Sequence, residues 1–94
     1  MTTEQITAIN NAMSMLTDLQ EAANMMTSLE NYQEFTNKYI KALRDSGVDS
    51  SIVEHFEFIC KSYLPIAEDA VRRHEKYLAC YEEEKAWMIE LEKN

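Results

Sequence analysis

With 94 residues, 46% of them hydrophobic and 28% charged, the chain has the size and make-up of one globular domain and not of a disordered segment. One Gly and one Pro exclude a turn-rich all-β fold and point to a few long helices. The formal net charge of −8, with no Lys or Arg before Lys38, argues against direct binding to nucleic acid or to an anionic membrane, since both rely on cations meeting phosphates.

From Ile6 the apolar residues fall three or four apart: Ile6, Ile9, Met13, Leu16, Leu19, Ala23, Met26 and Leu29. That spacing predicts one stripe on a helix, which Thr2 or Thr3 can cap. The sequence TSLE at 27–30 has capping-box spacing and predicts a break with Thr27 as N-cap, unless the two residues simply face solvent in a continuous helix. A second stripe follows at Leu29, Tyr32, Phe35, Tyr39 and Leu43, with Ile40 beside it.

A tight αα-turn is predicted at 46–50. Arg44 suits a helix C-terminus and Gly47 the left-handed position just past it. Asp49, Ser50 and Ser51 are all good N-caps, and Ser51 with Glu54 repeats the capping-box spacing. Beyond the turn, Ile52, Phe56, Ile59, Tyr63, Ile66 and Ala70 alternate steps of four and three, the seam of helices packed at shallow angles. The same register continues through Arg73, Tyr77, Cys80, Glu84, Trp87 and Leu91. Pro65 predicts a kink or break at 62–65, followed by a helix from about 65 to 92.

The turn lies near the midpoint, so the two halves can fold back on each other. The expected fold is all-α: a single domain, 1–94, built as an antiparallel helical hairpin with breaks near Thr27 and Pro65. Either both arms bend and form a three- or four-helix bundle, or they stay long, roughly 60 Å, and the hairpin dimerises to cover its apolar faces. In that hairpin Met13 and Met26 pack against Tyr77, Tyr81 and Trp87 of the other arm.

Chemistry is sparse. Neither His55 nor His74 sits in a nucleophile motif, and a single glycine rules out G-x-S-x-G and phosphate-binding loops. Positions 52 and 71, three before each histidine, are Ile and Val, so the Glu-x-x-His of di-iron bundles is missing. Cys60, His74 and Cys80 have no metal-ligand spacing. No catalytic, cofactor-binding or metal residue is assigned, and the chain is expected not to be an enzyme. Both cysteines read as small buried hydrophobes in a reducing, cytoplasmic setting. The start MTTEQITAINN lacks the basic and apolar regions of a secretory signal, and no apolar run approaches the roughly 20 residues of a membrane span.

The stretch Asp45-Ser46-Gly47-Val48-Asp49-Ser50 resembles the D-S-G-x-x-S phosphodegron read by a WD40-repeat ubiquitin-ligase adaptor. That resemblance implies Ser46 and Ser50 as phosphorylation sites, whereas turn chemistry asks for the same residue types without any reader. A hairpin of this size is also similar in outline to the small secreted helical hairpins with Trp-x-Gly in their turn; here the turn is Asp-Ser-Gly and the only Trp is Trp87.

What remains is surface. Met15 and Met25 fit the first stripe poorly, and methionine repacks readily against partners. Glu82, Glu83 and Glu84 form an acidic run, which also reads as a solvated face supported by Lys85. The candidate partner contacts are Met15, Met25, Glu82, Glu83, Glu84 and Trp87. The leading expectation is a non-enzymatic helical protein–protein interaction module that self-associates. The alternative is a small acidic inhibitor covering a basic, nucleic-acid-binding surface of a partner, as phage anti-defence proteins do.

Overall fold

The structure, a computed structural model, describes residues 1–93 and is all-α. It has three helices: α1 (Thr3–Asn24), α2 (Leu29–Ser46) and α3 (Ser50–Lys93). Each boundary has a local cause. Thr2 and Gln5 form a reciprocal capping box at the start of α1, with the Gln5 amide donating to Thr2 Oγ1 at 3.1 Å and the Thr2 amide to Gln5 Oε1 at 3.0 Å. The break near Thr27 is present, but Ser28 is the cap: its Oγ accepts from the Asn31 amide at 3.1 Å. Gly47 closes α2 at φ 79°, a left-handed conformation that costs a glycine nothing. Asp49 then caps α3, its carboxylate accepting from the Ser51 amide at 3.0 Å and the Ser51 hydroxyl at 3.1 Å. These bonds hold the Asp49 carboxyl below the usual carboxylate range.

The expected break at Pro65 is absent. Helix α3 runs unbroken for 44 residues. Two features explain this. The buried Tyr32 hydroxyl donates to the Cys60 carbonyl, fixing the preceding turn to α2. Pro65 itself is exposed, as is Lys61, the residue whose carbonyl loses its helical donor, so the ring sits on the outer face of α3 and not against the core.

The three helices pack on one another around one core. Its α1 face is Ala8, Ala12, Met15, Leu19 and Ala23, its α2 face Tyr32, Thr36, Ile40 and Leu43, and its α3 face Val53, Phe56, Cys60, Ala67 and Ala70. All three faces are rotated from the predicted stripes. Ile6, Met13 and Leu29 lie outside the core. The reason is that α1 touches two helices at once. A third helix nests most closely where alanines line it, so Ala8, Ala12 and Ala23 point inward in place of the bulkier Ile6 and Met13.

The midpoint fold-back also fails for α1. Because the chain reverses at Met25–Ser28, α1 returns alongside the first part of α3 and brings Gln5 next to Gly47. Met13 therefore does not meet Tyr77, Tyr81 or Trp87; all four are exposed. The packed body ends near His74, and the rest of α3 projects alone. The molecule measures 71 × 21 × 18 Å, and its radius of gyration is 19.2 Å. A compact chain of this length has about 12 Å.

Candidate functional site

The projecting half of α3 is the most unusual surface. Every residue from Glu75 to Lys93 is exposed. This arm nevertheless carries Tyr77, Leu78, Tyr81, Trp87, Met88, Ile89 and Leu91, with Trp87 62% and Leu91 54% accessible. Tyr77, Cys80, Tyr81, Trp87, Met88 and Leu91 lie at helical spacing i, i+3, i+4, i+10, i+11 and i+14. At 100° per residue they fill one stripe about 120° wide, a width that normally faces a core. Glu84, at i+7, sits in its middle, and Glu83 and Glu90 run along one edge.

Little in the molecule itself holds this arm. The ion pairs among the described residues are Arg44–Glu57, Arg72–Asp69 (4.0 Å) and Arg73–Asp69 (3.1 Å), and none lies beyond Arg73. The support expected from Lys85 for the acidic run is thus not made. A lone helical segment of about 19 residues is marginal in water, because helices in proteins draw most of their stability from packing.

The predicted contact residues divide sharply. Met15 is buried, 2% exposed, beneath the α1–α2 contact and is not available to a partner. It turned inward when the core face of α1 rotated to the alanine side. Met25 is 72% exposed, at the α1–α2 turn and at the end of an open groove of about 270 Å³ that also involves Phe35 and Tyr39. Glu82, Glu83, Glu84 and Trp87 are all on the arm and exposed. Cys80 is exposed too, contrary to its reading as a core residue, since the seam continues past the end of the body. The contribution of Tyr77, Tyr81, Met88 and Leu91 as one surface was missed. Their spacing was visible, but only the position of the α1–α2 turn decides that nothing covers them.

A wider open groove, about 770 Å³, runs between α2 and α3 past Tyr32, Thr36, Ile40, Arg44, Glu57 and Cys60. Two of the titratable groups lining it, Tyr32 and Cys60, are held protonated. Burial, reinforced by Cys60, pushes the Tyr32 hydroxyl up to about 12. Burial, with Glu57 nearby, pushes the Cys60 thiol up as well, which is the reverse of what a thiolate nucleophile needs. Among the described residues no group of three His, Cys, Asp or Glu side chains is placed to hold a metal ion, and no helix is long and apolar enough to cross a membrane. Ser46 and Ser50 are built into the joint: Ser46 Oγ donates to the Leu43 carbonyl at 2.7 Å, and Ser50 begins α3. Comparison with protein-family models, curated proteins and solved structures finds no match.

Proposed function

We propose that the chain is a non-enzymatic protein–protein interaction module in which the body, an antiparallel helical bundle, holds out the second half of α3 as a docking helix. The observation that carries this reading is the exposed stripe of Tyr77, Tyr81, Trp87, Met88 and Leu91 on the half of α3 that packs on nothing. Its composition is that of an interface, where Trp, Tyr and Met are enriched and anchor most of the binding energy. The test is Trp87→Glu, judged by association in sedimentation velocity and by helicity in circular dichroism. Association falls at least tenfold while the body keeps its unfolding midpoint. A variant that associates like the wild type contradicts the proposal.

A second reading is favoured by charge. The arm bears Glu82, Glu83, Glu84, Glu90 and Glu92 against Lys85 and Lys93 beyond residue 81. A small acidic inhibitor of a basic, nucleic-acid-binding partner would use these carboxylates. Its binding would weaken steeply with salt and would be lost in the triple variant Glu82→Lys, Glu83→Lys, Glu84→Lys. Salt-insensitive binding removes this reading and leaves the first.

A further inference from the structure

We infer that the occupant of the arm's stripe is the arm of a second copy, running antiparallel and crossing the first near residue 82. The inference rests on the docking-helix reading and adds the partner, the direction and the register.

Area is the first argument. The chain exposes 6986 Å². A compact monomer of 11.0 kDa exposes about 5,600 Å². The surplus of about 1,400 Å² exceeds the roughly 800 Å² that each partner contributes to a standard interface. One arm laid along another is the simplest way to remove it.

Charge sets the direction. Residues 72–81 carry Arg72, Arg73 and Lys76 against Glu75, a net of +2. Residues 82–93 carry five glutamates against Lys85 and Lys93, a net of −3. Antiparallel arms bring the basic segment of each copy, the last turn of its body with the first half of its arm, to the acidic half of the other arm, at both ends. Parallel arms would stack like on like and set Glu84 against Glu84. Arg72 and Arg73 share the single Asp69 carboxylate and stay exposed, with side chains 66% and 60% accessible, so they remain free to meet further acids.

Spacing sets the register. The seam positions Arg73, Tyr77, Cys80, Glu84, Trp87 and Leu91 alternate steps of four and three. In an antiparallel pair the two classes of seam position face each other. Tyr77 then meets the second copy's Trp87, Glu84 meets its Cys80, and Leu91 meets its Arg73. All three pairs cross near residue 82. The two Glu84 carboxylates stay apart, and Glu90 and Glu92 come level with Arg72 and His74. The two bodies lie at opposite ends of the pair.

The experiment combines charge reversal with a distance. Arg72→Glu with Arg73→Glu, and separately Glu90→Lys with Glu92→Lys, each weaken dimerisation about tenfold at low salt in sedimentation equilibrium. The quadruple variant, which restores opposite charges only in antiparallel arms, recovers to within about threefold of the wild type. A spin label at Lys93→Cys, with Cys60→Ser and Cys80→Ser, gives a separation of roughly 30–40 Å, since the labelled ends lie on opposite sides of the crossing. A separation of about 10–15 Å, the spacing of neighbouring parallel helices, overturns the direction. Failure of the quadruple variant to recover overturns the register. A chain that stays monomeric at about 100 μM, far above a micromolar dissociation constant, overturns the second copy as partner. In that case the docking-helix reading stands only if a different protein binds the wild-type arm and not Trp87→Glu.

Discussion

One helix supplies both halves of an instructive contrast. Residues 50–71 of α3 and residues 75–93 are continuous in backbone and similarly amphipathic, yet the first half is packed on two helices and the second on none. The side chains differ accordingly. Where α3 meets its own chain, the buried positions in the second half of its packed stretch are Cys60, Ala67 and Ala70, small residues that let α1 and α2 approach closely. On the arm the corresponding stripe holds Tyr77, Tyr81, Trp87, Met88 and Leu91, large adaptable residues. The small residues let the helices of one molecule close on each other there, whereas the large ones on the arm offer area to a partner.

The largest effect that sharpens this contrast is a pair of matched truncations. Leu43 is completely buried, and Leu43→Ala should cost the body about 3 kcal/mol in urea unfolding. Leu91→Ala, the same chemistry on the arm, should change the stability of the dilute monomer by less than about 0.5 kcal/mol. Equal losses would mean that the arm packs on the body.

Next in size is Pro65→Ala. An interior proline costs a helix about 3 kcal/mol, and part of that is returned by stiffening the unfolded chain. The variant should gain about 2 kcal/mol in thermal unfolding with no change in helix content, because α3 is already continuous there. A large rise in helicity would show that the helix is interrupted at this point after all. Gly47→Ala should cost about 1 kcal/mol through left-handed strain alone, since an added Cβ meets only Gln5 Nε2 at 3.7 Å. An unchanged melting temperature would remove Gly47 as the device that orients α2 against α3.

The smallest effect is with pH. Tyr32 and Cys60 both have raised pKa values in the folded body, so the folded state holds protons that the unfolded chain releases first. Their contribution is complete below the ordinary thiol and phenol range, near 9 and 10. It is lost as pH rises toward about 12, the folded value of Tyr32. Alkaline unfolding followed by tyrosine absorbance should show this decline, and Tyr32→Phe should flatten it.

The all-α class, the joint at Gly47 and the break before α2 were legible because each rests on short-range chemistry: glycine at positive φ, and Ser or Asp accepting from the next turn. Thr27 and Ser28 differ too little as caps for spacing alone to choose between them. Pro65 misled because its local cost is real, and what holds α3 continuous there comes from outside the local sequence: the Tyr32 hydroxyl of α2, bound to the Cys60 carbonyl one turn before the proline, and the exposed position of the ring. The exposed candidates Met25, Glu82, Glu83 and Glu84 were readable as surface, and Trp87 was read both as a partner contact and as packed against Met13 and Met26, whereas Met15 was not readable as core. Its burial depends on which side of α1 the alanines turn inward, and that is set by two other helices.

The central claim is that the body stands by itself and the arm is completed by association. Amide hydrogen exchange, followed from nanomolar to high micromolar protein, tests it most directly. Residues in the body should be protected at every concentration, while protection of 75–93 should rise with concentration and collapse in Trp87→Glu. An arm equally protected at every concentration, or equally unprotected, would contradict the account.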